Sequence, residues 1–201
     1  MLNLSIKENL LKFGVHVQEE MYDFNLLVSY PWGLYGRAKK EVMQVLEMLG
    51  DESPTVKRTI AEGIIGVKTR LDPREVIRGL RKLFDEDPFA LQYTLKWVPV
   101  DLWTLSNMDS MKEAVRKLRN RIHADERWRM TVEKRRYSQH HKIEIIRELA
   151  DLIDEKVDLE NPEKILRLDI IGRYVGISVL TPQEVFSVAK PHFSIPRTVK
   201  S

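Results

Sequence analysis

The residues of this chain best suited to chemistry lie between positions 126 and 142, ERWRMTVEKRRYSQHHK. Arg127, Arg129, Lys134, Arg135, Arg136 and Lys142 supply fixed positive charge, His140 and His141 supply donors, and Tyr137 adds a flat polar ring. Such a set suits an anion, and the phosphates of a nucleic acid are the usual candidate. Trp128, Met130 and Val132 alternate with Arg127, Arg129 and Thr131, the pattern of a half-buried strand. Ser138 has the side chain of a helix N-cap, which would put His140, His141 and Lys142 in the first turn of an amphipathic helix. Cations there oppose the partial positive charge and unpaired N–H groups of a helix N-terminus. An external phosphate resolves that conflict.

Other readings of the same residues are open. A charge run is commonly a solvated face, and Lys112 to Arg121 fits that as well as RNA contact, because Glu113, Asp125 and Glu126 are at hand. Tyr137 either stacks on an unpaired base or closes the edge of a core. His140 and His141 are neighbours, and adjacent helical positions diverge by about 100°, so a shared metal is not expected. With no nucleophile or paired carboxylate near them in sequence, no catalytic residue is expected either.

The net charge of +3, from 33 basic and 30 acidic residues, is too small to name a partner. Its distribution is more telling: residues 109–142 hold 11 basic and 5 acidic side chains, residues 143–164 hold 3 and 8. Glu144, Glu148, Asp151, Asp154 and Glu155 would repel RNA and form either solvated surface or a face for a basic partner. The absence of cysteine excludes disulfides, thiol nucleophiles and cysteine zinc sites. Lys7, Glu8 and Lys12 interrupt any signal-like apolar run, and no stretch of about 18 apolar residues occurs. A cytoplasmic location without membrane contact is expected.

The elements that must position these residues follow from periodicity. Residues 24–30 read as a strand and 38–49 as a helix ending at Gly50; 55–60 and 64–69 are two strands. Asp72, Pro73 and Glu75 announce a helix that buries Val76, Ile77, Leu80 and Leu83, and a strand is expected over 91–98. This β-α-β-β-α-β order is that of a ferredoxin-like unit. After a joint at 101–107 come a helix through Met111, Val115, Leu118 and Ile122, the basic strand, a helix through Ile143, Ile146 and Leu149, and a hairpin of 165–171 and 174–180 about Gly172-Arg173. The expected division is an N-terminal extension at 1–22, a ferredoxin-like domain at 23–103, a second domain at 104–190 and a basic tail at 191–201. Trp32 and Trp97 are expected in packing, and oligomeric state is left open.

The second unit resembles a THUMP domain, the RNA-binding module attached to several classes of tRNA-modifying enzyme. The resemblance rests on the helix before the strand, the run Trp128-Arg129-Met130-Thr131-Val132-Glu133-Lys134-Arg135 with its basic exit, and the turn Val157-Asp158-Leu159-Glu160-Asn161-Pro162 before an apolar strand. With the preceding unit it covers residues 24–191, and it implies an α+β fold: an N-terminal ferredoxin-like domain followed by a THUMP domain. It also implies that the two domains together grip the 3′ end of the tRNA acceptor stem. No glycine-rich methyltransferase loop, Ser-Gly-Gly loop of a thiolation enzyme or zinc-deaminase signature is present. Together with the stretch Tyr93-Thr94-Leu95-Lys96-Trp97-Val98-Pro99-Val100, this is similar to the stand-alone THUMP branch. That resemblance implies a non-catalytic adaptor, without cofactor, which presents tRNA to a separate RNA cytidine acetyltransferase making N4-acetylcytidine. The rivals are an RNA-binding subunit of a thiolation or methylation enzyme, and an interaction module for an acidic protein.

Overall fold

In a computed structural model, described over residues 22–188, two α/β units pack sheet against sheet. The first is built on β1 (Leu26–Ser29), α1 (Tyr35–Met48), β2 (Thr55–Arg58), β3 (Ile64–Lys68), α2 (Pro73–Glu86) and β4 (Lys96–Pro99). Its strands run in the order β2-β3-β1-β4, each pairing antiparallel. That is the ferredoxin-like arrangement expected from the element order. Helix α2 starts as its sequence specifies: the Asp72 carboxylate accepts the Arg74 N–H at 2.7 Å, and Pro73 occupies the first helical position. Leu26 and Val28 point to the helices and join Val42, Leu46, Ile77, Leu80 and Trp97 in the core. Leu27, one position out of phase, points to the other face.

The second unit holds β5 (Leu102–Leu105), α3 (Met108–Leu118), β6 (Trp128–Arg135), α4 (Lys142–Ala150), β7 (Lys164–Ile171) and β8 (Tyr174–Leu180). The strand order is β5-β8-β7-β6, with β6 parallel to β7 and the other neighbours antiparallel. Both helices cover one face, where Met111, Val115, Trp128, Val132, Ile145, Leu149, Leu168 and Ile177 are buried. The opposite face meets the first domain through Leu27, Ala61, Ile64, Val100 and Ile171. Polar contacts fix the angle: Asp101 takes Arg74 of α2 and Arg121 beyond α3, each at 2.9 Å, and the Trp103 indole N–H donates to the Phe24 carbonyl at 2.7 Å.

Three departures from the sequence reading have local causes. The strand expected over 91–98 begins only at Lys96, because the N–H groups of Gln92, Tyr93 and Thr94 donate to the buried carboxylate of Glu41 instead of to a neighbouring strand. The joint expected at 101–107 contains β5, which pairs with β8, so the boundary drawn at residue 103 falls inside a strand of the second sheet. A further strand, β9 (Phe186–Ser187), pairs with β4 and buries Phe186 in the first core, although the sequence assigns it to the second domain. The expected N-terminal extension, up to residue 21, and the basic tail at 191–201 lie outside the described residues. Among the described residues no helix is long and apolar enough to cross a membrane.

Candidate nucleic-acid interface

The parallel pairing of β6 with β7 sets Arg135 beside Ile171. The loop leaving β6 and the Gly172-Arg173 hairpin leaving β7 are therefore neighbours. The Gly172 N–H donates to the Arg135 carbonyl at 2.9 Å and the Ser106 N–H to the Arg173 carbonyl at 3.0 Å. The Ser106 hydroxyl donates to the Gly172 carbonyl, and the Tyr137 hydroxyl to the Ser106 carbonyl, both at 2.9 Å. These bonds join three loops, after β5, β6 and β7, into one rim. Gly172 takes φ +61°, as the first position of a type II′ hairpin turn requires.

The structure divides the cations that the sequence groups together. Arg127 and Arg129 stand at the start of β6, nine and seven residues from Arg136, or about 30 and about 23 Å of strand. Arg127 pairs with Asp158 at 3.1 Å and Glu163 at 3.5 Å, and Arg129 donates to the Leu159 carbonyl at 3.2 Å. Both therefore brace the turn at 157–162. Hydrogen bonds from the Asn161 and Glu160 N–H groups, together with Arg127, hold the Asp158 carboxyl below the ordinary aspartate range. Among Lys134, Arg135 and Arg136, strand alternation sends the first two to opposite faces. Lys134 turns toward the helices, donates to the His140 carbonyl and lies 5.4 Å from the Tyr137 ring centre. Arg135 turns toward the first domain and pairs at 3.5 Å with Asp169, whose carboxylate also holds Arg167 at 2.7 Å. Arg136 ends the strand at φ +54°, a left-handed conformation, with its side chain exposed.

The entry to α4 also differs from expectation. The N-cap is His141, not Ser138, and the helix begins at Lys142, so His140 and His141 precede its first turn. Glu144 at the third helical position accepts the His141 N–H at 2.7 Å, supplying from within the chain part of the negative charge that a cationic helix start needs. His140 Nδ1 lies 3.8 Å from the same carboxylate. Tyr137 packs against the helical core, which is the edge-closing alternative for its ring. Burial, with the nearby charge of Glu144, pushes its phenol up and keeps it a neutral hydrogen-bond donor. No group of three His, Asp or Glu among the described residues could hold a metal ion.

What remains on the rim is a smaller set of cations than the sequence suggests. Arg136 and Arg173 on these loops, and Lys142 at the start of α4, are exposed, and none is in an ion pair among the described residues. The sequence places Arg173 in the hairpin turn, apart from the basic run. The signal was present: an α-helix between two strands implies a parallel pair, and a two-residue hairpin straight after the second strand must then sit beside the exit of the first. The first domain reaches the same rim through the β2–β3 loop, where Ile60 fills the space that a side chain on Gly172 would occupy. Trp97 is in the core as expected, but Trp32 is not a packing residue; it is 83% exposed.

Several solved structures are similar to the chain over most of its length, two of them as follows. One is PH1313 from Pyrococcus horikoshii Ot3, with a TM-score of 0.57 and 14% identity across 79% of this chain and 55% of that one. The other is TrmN from Thermus thermophilus, with a TM-score of 0.52 and 14% identity across 79% of this chain and 46% of that one. The chain thus spans about half the length of each, and at this identity the likeness is one of fold. No curated protein matches its sequence. Residues 106–180 match the THUMP domain family, which covers α3, the basic strand β6, α4 and the β7–β8 hairpin, so the second unit is a THUMP domain.

Proposed function

We propose that this chain is a non-catalytic tRNA-binding protein that presents tRNA to a separate RNA cytidine acetyltransferase, which forms N4-acetylcytidine. The observation that carries the binding reading is the THUMP rim, where Arg136 and Arg173 stand on loops joined by backbone hydrogen bonds and Lys142 opens α4, none with a carboxylate partner among the described residues. Exposed, unpaired cations on a backbone-braced rim suit phosphate contact, which would supply most of the affinity and make it steeply salt-dependent. The first domain adds a second wall through Ile60. This supports a grip on the acceptor 3′ end, whose single strand reaches where a duplex is too broad. The His140 ring faces Glu144, with Nδ1 3.8 Å from its carboxylate, and the non-catalytic role rests on the resemblance to the stand-alone THUMP branch. The acetyltransferase partner rests on the resemblance of the 93–100 stretch and the 157–162 turn to the stand-alone THUMP branch.

The test has two stages. Labelled tRNA, intact or trimmed of its 3′ single strand, is titrated against wild type and Arg136→Ala/Arg173→Ala across a salt series. Weaker binding on trimming and a shallower salt dependence in the variant are the expected results. Acetylation is then reconstituted with a purified RNA cytidine acetyltransferase and tRNA, with and without this chain. Acetylation that proceeds equally well without it overturns the adaptor role, and equal binding in all four combinations overturns the interface.

A further inference from the structure

Four tryptophans occur in the chain, and three are used by the fold: Trp97 and Trp128 are buried, and Trp103 is half-buried with its N–H on the Phe24 carbonyl. Trp32 is 83% exposed. It does not sit on a loose loop. The Leu34 N–H donates to the Pro31 carbonyl at 3.1 Å and Gly33 takes φ +77°, the geometry of a type II turn with Trp32 at its first corner. A closed turn that leads straight into α1 thus holds an indole in water at a fixed place.

The helix that this turn opens carries cations. Arg37 and Lys40, in the first turns of α1, line a surface cleft of about 350 Å³ together with Gln44, Gln92 and Tyr93. The Arg37 guanidinium lies over the Tyr93 ring at 5.5 Å. The carboxylate in the cleft wall, Glu41, already accepts three backbone N–H groups and the Thr94 hydroxyl, and among the described residues neither Arg37 nor Lys40 is ion-paired. Arg58, paired with Glu62 at 3.3 Å, lies 3.9 Å from the ring centre of Tyr35 at the start of α1. This ground is continuous with the THUMP rim. Tyr30, just before the turn, donates its N–H to the Gly63 carbonyl at 2.9 Å and its hydroxyl to Glu62 at 3.1 Å, and the same β2–β3 loop places Ile60 against Gly172.

We infer that Trp32 is a stacking platform for an unpaired base, with Arg37 and Lys40 on the helix that follows it taking backbone phosphates, so that single-stranded RNA crosses from the THUMP rim onto the first domain. The occupant is RNA because an exposed ring precedes a helix whose Arg37 and Lys40 have no ion pair among the described residues, and aromatic rings with nearby cations bind single strands without sequence preference. The inference rests on the RNA-binding reading above, and the experiment separates the two. Full-length wild type, Trp32→Phe and Trp32→Ala are titrated with intact tRNA and with a single-stranded RNA heptamer, reading affinity and tryptophan fluorescence. Loss of one stacked base predicts about 5- to 100-fold weaker binding for Trp32→Ala, partial rescue in Trp32→Phe, and RNA quenching of emission in wild type that disappears in Trp32→Phe. If wild type binds tRNA while Trp32→Ala binds equally well and quenching persists in Trp32→Phe, the platform is overturned, the RNA-binding reading stands, and the indole serves another partner. If wild type binds neither RNA, both fail together.

Discussion

Ile60 of the first domain occupies the space that any side chain at Gly172 of the THUMP domain would need. The hairpin that carries Arg173 is thereby locked to the β2–β3 loop, and Gly172 is constrained twice, by its neighbour and by its φ of +61°. Gly172→Ala is expected to destabilise the protein by about 1–3 kcal/mol in urea denaturation. Adding Ile60→Ala should return the steric part and leave the backbone part. Strict additivity of the two substitutions would show that the contact does not couple the domains.

The two ends of β6 should behave differently toward RNA. Arg136→Ala and Lys142→Ala are each expected to weaken tRNA binding and lower the salt slope by about 0.7–0.9 per lost phosphate contact. Arg127→Ala, which removes a partner of Asp158 and Glu163 about 30 Å of strand away, should leave that slope unchanged. A slope that moves equally for all three would mean that the sequence grouping was the true one.

Arg136 also holds a left-handed backbone conformation, φ +54°. Arg136→Gly removes the steric penalty and the cation at once. Stability is expected to rise by about 0.5–1 kcal/mol while tRNA affinity falls, an opposition visible by comparing thermal melts with binding titrations.

Asp169 answers two guanidiniums, Arg167 at 2.7 Å and Arg135 at 3.5 Å, in a cleft between the two sheets. Asp169→Ala leaves the buried Arg167 without a carboxylate, for an expected loss of about 3–5 kcal/mol by chemical denaturation. Removing Arg135 instead leaves the better pair intact and should have a smaller effect. This is why Arg135 is a poor probe of RNA contact: its loss perturbs the domain junction as well.

Asp51 sets an acid limit on the first domain. Burial alone would raise its pKa, but hydrogen bonds from the Thr69 hydroxyl and the Arg70 and Ser53 N–H groups outweigh that and hold it below the ordinary value of 3.8. A depressed carboxylate contributes stability that is complete above 3.8 and is lost as pH falls below it toward the folded value. Asp51→Asn should be less stable than wild type by about 2 kcal/mol at neutral pH, and the difference should shrink below pH 3.8 in acid-urea titrations. A gap that stays constant into strong acid would contradict this account.

Much of the fold could be read from the sequence because its signals are local. Asp72-Pro73, the period of Val76, Ile77 and Leu80, and the alternation of Trp128, Met130 and Val132 each report on a few neighbouring residues. What could not be read depends on distant partners. Gln92, Tyr93 and Thr94 look like strand until Glu41, some fifty positions earlier, takes their N–H groups. The four residues of β5 carry no pattern of their own and become a strand through β8. The candidate site shows the same limit: cations adjacent in sequence diverge in space by strand alternation, and Arg173 joins them only through the β6–β7 register.

β9 gives the chain an order of completion during synthesis. The first sheet keeps an open edge along β4 while about ninety residues of the following domain emerge, and closes only when Phe186 leaves the ribosome and covers it. A chain stalled inside the THUMP domain would present that edge to other nascent chains. Vectorial folding therefore makes the last described strand a guard against self-association of the first domain.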